Sequence, residues 1–547
     1  MKWLGLLFLA SCAAGASSKP KLRSERIGDI AADYWDLTLS TDPRKATQVG
    51  DHRFDGDLEF VSPQARATLR AAKLAIVARA SAVASLSEAE MLDRDVLLRS
   101  LLAELGSEEC RYPLWLLDHL EGLQSALAQL PTYHRPITRE AAATLIARYR
   151  QVPRLVGEHI ANLRLGLRAD WTAPELNVRR VLAQIDGILA APPFVPADAV
   201  SKGELDAVVA ADVLPALREY RRVIATEILP VARKTIAVAP ECYAYEILRH
   251  TGSQLSPKEI NRLGLDEVAR IRREMAVLDK KLKGKPRLMG KSPDAMLQNA
   301  RDIVARAEAA LPKAFLHLPK TKLEVRAMEA FREKESPGGE YRSAPADRSQ
   351  PAIYYLNTYA ADKRPLMTQE ALAFHEGVPG HHLQIAIAQE LVGVPAFRRE
   401  EGVNVFVEGW ALYAEKLAKE LDLYTSDASE YGRLESELWR SKRLVVDTGM
   451  HALGWSREQA LVFMREASTQ PEVELVNEID RYITWPAQAL SYKLGELEFL
   501  RLRAKAQRLL GKRFDLREFH DVVLGAGALP MDILGKRVDR WIASKAD

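Results

Sequence analysis

Apolar residues recur at three- and four-residue spacing through most of the chain, and this period limits the folds that the chain can adopt. The pattern extends from Ile27 to about Lys313 and resumes from Thr368 to the C terminus, with Ala, Leu, Arg and Glu dominating. Such spacing places apolar side chains on one face of an α-helix. The sequence therefore predicts a mostly α fold, a large body of stacked amphipathic helices interrupted by proline and glycine.

The composition is that of a large globular protein. Of the 547 residues, 47% are hydrophobic and 28% are charged, which excludes a disordered chain. Lys and Arg number 77 against 74 Asp and Glu, so the formal charge is only +3. Nucleic-acid binding usually shows a basic excess, and we expect no nucleic-acid partner. Three cysteines are too few for a disulfide scaffold or a Cys-rich zinc module.

The first residues resemble an export signal. A short charged start precedes an apolar run that is too short for the ~20 residues of a membrane-spanning helix. Residues 9–12 resemble a bacterial lipobox, which predicts a signal peptide over residues 1–11, lipidation of Cys12 and a tether over residues 12–24. Cleavage after Ala16, which would leave a soluble periplasmic protein, is the alternative. Either places the protein at the periplasmic face of the cell envelope, with a lipid anchor as the expected membrane contact.

The two remaining cysteines, Cys110 and Cys242, leave two possibilities open. An oxidising compartment would allow them to form a disulfide if their Cα atoms lie within ~7 Å. The alternative is two separate buried thiols.

One segment departs from the helical period. Residues 323–325 and 352–357 read as strands on either side of a Pro-Gly loop, and they lie immediately upstream of a histidine cluster. We expect a small β-hairpin or sheet there. The change in texture divides the mature chain into an N-terminal helical region, residues 25–315, and a region of residues 316–547 that holds the β element, the histidine motif and further helices.

Three of the eleven histidines lie between residues 375 and 382. In His-Glu-x-x-His zinc motifs, two histidines four residues apart share one helical face, but here the fourth position after His375 is Pro379. On an unbroken helix, His375 and His381 would lie ~9 Å apart along the axis. A kink at Pro379 and the following glycine could bring them together. We therefore favour His375 and His381 as metal ligands, with His382 as a neighbour or the less favoured second ligand; a polar helix end is the alternative.

A third ligand is available downstream. The mostly apolar segment from residue 406 to residue 415 carries Glu408 and Glu415, seven residues apart on one helical face. A metal ion would give Glu408 a partner, while Glu415 could orient an imidazole from behind. The alternative is an amphipathic helix with two solvated acids.

Four sequence blocks together resemble the bacterial family known as domain of unknown function 885. They are His375–Gln384, Glu408–Glu415, Val446–His451 and Trp485–Glu496. The resemblance covers most of the mature chain, although the N-terminal half matches more in texture than in motif. The family is similar to helical zinc metallopeptidases of the gluzincin type, which implies one Zn²⁺ per chain, peptide hydrolysis and a deep channel between two helical lobes.

The resemblance and the motif order suggest catalytic roles. Zinc held by two His and one Glu leaves a position for water, and Glu376 would act as the general base. The family blocks offer His451, Tyr492 and Lys493 as groups that contact the oxyanion or the substrate. Tyr492 could instead be a core aromatic residue, and His451 could pair with Asp447 one helical turn earlier.

Further residues are candidates for substrate binding. Tyr355 and Asn357 lie on a predicted edge strand that could pair with an extended peptide, although a hairpin that caps the helical body is the alternative. Arg481 and Arg443 could hold a substrate carboxylate, although surface ion pairs are the default for arginine.

These observations favour a zinc-dependent peptidase that hydrolyses short peptides at the cell envelope. Two alternatives stay open: a non-enzymatic envelope lipoprotein with a binding or scaffold role, and a metal-dependent amidase that acts on peptidoglycan stem peptides.

Overall fold

The computed structural model describes residues 25–546 apart from 85, 330–332, 334–335 and 469. The predicted signal peptide, the lipidation of Cys12 and the tether lie outside the described residues. Helices account for 70% of the chain and the sheet is small, so the prediction of a mostly α fold is confirmed. The two lobes and the deep channel stay predictions.

Helices α1 to α14 precede the first strand. They are Ile27–Thr41, Pro43–Gln48, Pro63–Ala82, Glu88–Ser107, Tyr112–Trp115, Leu123–Tyr133, Arg139–Tyr149, Val152–Arg168, Glu175–Ala190, Lys202–Val208, Leu214–Val223, Pro240–Thr251, Pro257–Leu282 and Pro293–Ala310. Local sequence signals set several of their starts. Ser87 caps α4 and Ser256 caps α13, each through reciprocal bonds with the glutamate three residues on.

Three strands follow: β1 Leu323–Ala327, β2 Gly339–Arg342 and β3 Ala352–Leu356. Strands β1 and β3 lie where the sequence predicted strands, whereas β2 was not predicted and begins within the predicted Pro-Gly loop. The strand order is β1-β3-β2, with β3 parallel to β1 and antiparallel to β2. The expectation that β3 is an edge strand is therefore wrong. Both of its edges are occupied by neighbouring strands, and all five of its residues are buried.

Helices α15 to α24 complete the chain. They are Gln369–Glu376, His381–Gln389, Ala396–Glu400, Asn404–Glu420, Asp427–Ala452, Arg457–Arg465, Glu472–Thr484, Ser491–Leu510, Leu516–Leu524 and Met531–Ala546. Within the described ranges, no helix combines the length and the apolarity needed to cross a membrane.

The hydrophobic clusters connect distant parts of the chain. One cluster joins residues of 27–101 with residues of 296–542, and a second lies within residues 58–228. The first helices thus share a core with the histidine motif. The predicted division at residue 315 stays a prediction.

Two helix pairs bring the functional elements together: α13 packs along α19, and α18 packs along α22. At the second crossing, a Cβ on Gly409 would lie 2.4 Å from the Cα of Gly495, so the two backbones meet where neither residue has a side chain. This close approach sets α18, which carries Glu408, directly against α22, which carries Tyr492.

A disulfide joins Cys110 to Cys242, with their Cα atoms 5.0 Å apart. Of the two possibilities left open by the sequence, the structure has the bonded one. The bond closes a loop of 132 residues and connects the end of α4 to α12.

Candidate metal centre

A sharp break between α15 and α16 brings two histidines together. Helix α15 ends at Glu376 and α16 begins at His381, and the peptide bond before Pro379 is cis. A Cβ on Gly380 would lie 2.0 Å from the carbonyl oxygen of His375, so only glycine fits where the chain folds back. The imidazole centroids of His375 and His381 are consequently 4.8 Å apart. The kink expected at Pro379 and Gly380 is present.

Helix α18 brings a carboxylate to the same point. Glu408 Oε2 lies 3.7 Å from His375 Nε2 and 3.5 Å from His381 Nε2. One ligand atom from each of the three residues lies within 4.8 Å of the other two. Bonds of about 2.0–2.1 Å in a tetrahedral zinc site hold ligand atoms roughly 3.3–3.5 Å apart. The geometry therefore fits a small divalent cation.

The polar atoms at this point also indicate a cation. Glu408 Oε2 is buried, and it has no hydrogen-bond partner among the residues that the structure describes. Buried carboxylate oxygens are normally paired, bonded or bound to metal. Two His and one Glu form the ligand set of a catalytic zinc site that leaves a fourth position open.

A second carboxylate orients one of the imidazoles. His375 Nδ1 donates a 2.9 Å hydrogen bond to Glu415 Oε1, and both side chains are buried. This bond leaves Nε2 of His375 facing Glu408, as carboxylate–histidine–metal arrangements require. Burial lowers the pKa of His375, but Glu408 and Glu415 outweigh it and raise that pKa to about 9. The carboxylates therefore favour positive charge at this position.

His382 points away from the cluster. Its Nε2 donates to the carbonyl oxygen of Thr321 at 3.0 Å, and its Nδ1 accepts from the Tyr341 hydroxyl at 3.2 Å. Both nitrogens are thus used outside the cluster, which favours His381 as the second ligand. His382 instead connects α16 to β2 and to the segment before β1.

Glu376 lies beside the three candidate ligands. Its side chain is buried, and burial raises the pKa of its carboxyl group above the ordinary value, although His375 and His381 act in the opposite direction. The Tyr354 hydroxyl lies close enough for the Glu376 charge to raise the pKa of Tyr354 further, beyond the effect of burial. That hydroxyl is buried and has no hydrogen-bond partner within the described part of the chain.

Tyr492 lies beside His375, and two arginines lie beside Tyr492. The Tyr492 ring stacks on the His375 ring at a centroid distance of 6.4 Å. Arg481 Nη2 lies 3.4 Å from the Tyr492 hydroxyl, and the Arg443 guanidinium lies 4.2 Å from the Tyr492 ring centroid. The structure thus brings three of the sequence candidates to the side of His375.

Both ring nitrogens of His451 are bonded to backbone groups away from the cluster. Its Nε2 donates to the carbonyl oxygen of Tyr482 at 2.9 Å, and its Nδ1 accepts from the Val238 N–H at 3.4 Å. Both nitrogens are occupied by backbone, so the structure does not support a role at the oxyanion. The alternative pairing with Asp447 also fails, because that carboxylate accepts from the Tyr243 hydroxyl at 2.6 Å.

The polar groups of the Lys493 and Asn357 side chains are bonded to other residues of the protein. The Lys493 ammonium is fully buried and bonds to Glu437, Glu496 and Glu267 at 2.6–2.9 Å, which joins α13, α19 and α22. The Asn357 amide donates to three carbonyl oxygens of residues 333–337. Neither is supported as a substrate contact.

Tyr354, and not the predicted Tyr355, lies beside the candidate centre, and Arg440 lies there without having been predicted. Tyr355 packs with Met328 and Ile353, whereas Tyr354, on the opposite face of the strand, lies beside Glu376. Strand alternation could have signalled this difference. Arg440 Nη2 lies 3.9 Å from Glu415 Oε1, and its position three residues before Arg443 on one helix was the available signal.

A cavity of about 660 Å³ begins one helical turn from Glu408. Arg99, Arg249 and His250 line it from the N-terminal helices, and Asn404 and Gln488 line it from the C-terminal region. Asn404 precedes Glu408 by one turn of α18, and Gln488 accepts a hydrogen bond from Arg481. The three candidate ligands do not line the cavity, and Asn404 and Gln488 are the lining residues that connect it to the site.

The chain is thus a mostly helical protein in which His375, His381 and Glu408 form a cluster that could hold a metal ion. Comparison with known proteins shows its family. Residues 43–538 match the family described as "Bacterial protein of unknown function (DUF885)", and the chain belongs to this family. No curated protein matches the chain.

Two solved structures are similar over nearly the whole chain. The first is described as "the putative lipoprotein from Colwellia psychrerythraea"; it is 28% identical, with a TM-score of 0.88, and the match covers 95% of this chain and 99% of that one. The second is described as "a putative lipoprotein of unknown function from Shewanella oneidensis" and is 18% identical, with a TM-score of 0.74 and coverage of 94% and 99%. The second likeness shows the fold alone.

Proposed function

We propose that this protein is a zinc-dependent peptidase that hydrolyses short peptides at the bacterial cell envelope. The observation that carries the proposal is the convergence of His375, His381 and Glu408, with Glu376 beside them. Such a ligand set, an adjacent carboxylate and an open coordination position together are typical of gluzincin-type zinc peptidases.

A bound metal ion and the side chains around it would have different roles in catalysis. Zinc, when bound, supplies Lewis acidity toward the scissile carbonyl and a water of lowered pKa. Glu376 would act as the general base that takes a proton from the attacking water and passes it to the leaving amine. The hydroxyls of Tyr492, beside His375, and of Tyr354, beside Glu376, donate to the developing oxyanion.

The cavity that begins one helical turn from Glu408 supports short peptides as the substrate class. Its volume of about 660 Å³ lies within the ~300–1,000 Å³ usual for pockets that enclose small ligands. A folded protein domain does not fit into a space of this size. A peptide of a few residues does.

The proposed location is the periplasmic face of the envelope, with a lipid on Cys12. The lipobox-like residues 9–12 and the description of both similar structures as lipoproteins support it. Fractionation of cells that express the full chain and a Cys12→Ala variant tests this. We expect the wild type in the membrane fraction and the variant outside it; equal membrane association would contradict lipid anchoring.

Peptide hydrolysis is tested on the purified mature chain with a panel of two- to eight-residue peptides and muropeptides, followed by mass spectrometry. We expect cleavage that a chelator abolishes and zinc restores. The matched control is Glu376→Gln, which removes the base but keeps every ligand, and its turnover should fall by at least about 100-fold. Cleavage of muropeptides alone would favour the amidase. No cleavage of any substrate by the zinc-loaded protein would contradict the proposal and favour a binding or scaffold role.

A further inference from the structure

We infer that the site takes peptides with a free C-terminal carboxylate, which Arg443 and Arg481 bind beside Tyr492. This inference rests on the proposed function and adds its substrate class. It makes the protein a carboxypeptidase-like enzyme that removes one or a few residues from the C-terminal end.

Arg443 and Arg481 share one carboxylate, that of Glu478. Arg443 Nη2 donates to Glu478 Oε2 at 2.8 Å, and Arg481 Nη1 donates to Glu478 Oε1 at 3.0 Å. One carboxylate therefore serves two guanidinium groups. Arg443 is only 6% exposed, and charges this deeply buried are almost always paired. The pair of arginines thus keeps one positive charge that Glu478 does not balance.

Arg443 also has a hydrogen-bond donor that no described residue accepts. Arg443 Nε donates to the Tyr482 hydroxyl at 2.8 Å, and its Nη2 is taken by Glu478. Its Nη1 is buried and has no hydrogen-bond partner among the described residues. A buried, charged N–H without an acceptor is costly, and a carboxylate is the acceptor that a guanidinium binds best. A carboxylate would satisfy this donor and the unbalanced charge together.

The Arg443 guanidinium lies close to the candidate metal ligand His375. Arg443 lies 4.2 Å from the Tyr492 centroid, which lies 6.4 Å from the His375 centroid, so the guanidinium is within about 11 Å of that imidazole. Each extended residue spans ~3.3–3.6 Å. A carboxylate bound here places the scissile bond one to three residues from the C terminus.

Arg481 is partly exposed and is linked to the cavity wall. The Arg481 side chain is 16% exposed, and it donates to Gln488, which lines the cavity. Arg481 Nη2 also faces the Tyr492 hydroxyl. Arg481 is therefore the more accessible of the two arginines and is connected to the cavity wall through Gln488.

The overall charge of the site agrees with one bound anion. Four carboxylates and three guanidiniums surround the two imidazoles, which are neutral when they bind a metal ion. These charged groups are Glu376, Glu408, Glu415, Glu478, Arg440, Arg443 and Arg481. With a divalent cation bound, this set carries one net positive charge. One substrate carboxylate neutralises it.

The test compares matched peptides that differ only in a free C-terminal acid or a C-terminal amide, using the zinc-loaded mature chain. We expect kcat/KM for the acid to exceed that for the amide by at least about 100-fold, mainly through KM, because a charge-assisted bidentate contact is lost in the amide. Arg481→Gln and Arg443→Lys should each bring the acid-to-amide ratio down toward one. Arg443 is buried, so circular dichroism checks its folding, and the more accessible Arg481→Gln carries the test if Arg443→Lys does not fold.

The matched control is Arg465→Lys, because the ion pairs that Arg465 forms among the described residues, with Glu458 and Glu472, are exposed. It should keep the wild-type ratio. Equal hydrolysis of acid and amide peptides would overturn the inference and leave the peptidase proposal standing. Failure to hydrolyse either peptide, or any other member of the panel, would overturn the peptidase proposal and this inference with it.

Discussion

Replacement of Gly380 by alanine should separate the two imidazoles of the candidate metal centre. The added Cβ would lie 2.0 Å from the carbonyl oxygen of His375 and 2.3 Å from that of Phe374, whereas real Cβ contacts stay beyond 3.0 Å. Both obstacles are backbone atoms, so the chain must move by about 1 Å, several times the ~0.2 Å that metal–ligand distances tolerate. We expect zinc affinity to fall by about 100-fold or more, which corresponds to roughly 3 kcal/mol.

The assay is competition for zinc against a chromophoric chelator, with circular dichroism and thermal unfolding to show that the variant is folded. Gly157→Ala is the matched control: this glycine lies in α8, and a Cβ there has no atom within 4 Å. It should bind zinc normally and be more stable by about 0.4–1 kcal/mol. Wild-type zinc affinity in a folded Gly380→Ala protein would refute the reasoning that this turn holds His381 in place.

Three further predictions follow. Glu415→Gln should weaken zinc binding about 10–100-fold in the same competition assay, because Glu415 orients a ligand imidazole; unchanged affinity would contradict this. Reduction of the Cys110–Cys242 disulfide should lower the free energy of unfolding by about 2–5 kcal/mol in chemical denaturation, and no change would contradict a stabilising role. Burial lowers the pKa of His451 to about 4 and that of His520 to about 3, so between pH 6.5 and 4 the unfolded chain binds more protons. These two imidazoles should therefore reduce the unfolding free energy by up to about 2.7 kcal/mol per pH unit on acidification, a dependence that replacing His520 by Gln should weaken.

The local parts of the fold were predictable because they depend on neighbours in sequence. Helical periodicity and the position of the strand segment follow from residue spacing, and both were confirmed. The break at Pro379 and Gly380 was also readable, since two residues that disfavour helix lie between two histidines. Ligand spacing then pointed to His381, and the structure shows why: both nitrogens of His382 are engaged elsewhere.

The failures involve partners far apart in the chain. Whether β3 is central or at an edge depends on pairing with two other strands, and residue patterns within one strand do not encode that order. His451 was a reasonable donor until Val238, more than two hundred residues earlier, was seen to occupy its Nδ1. Lys493 was misjudged for the same reason, because its three carboxylates come from three different helices.

The measurement that tests the account most directly is the metal content of the purified mature chain by mass spectrometry, for the wild type, His375→Ala and Glu376→Gln. We predict one zinc per chain in the wild type, its loss in His375→Ala and its retention in Glu376→Gln, because His375 belongs to the proposed ligand set and Glu376 does not. Absence of zinc from the wild type after zinc is supplied, or full retention in folded His375→Ala, would contradict the account.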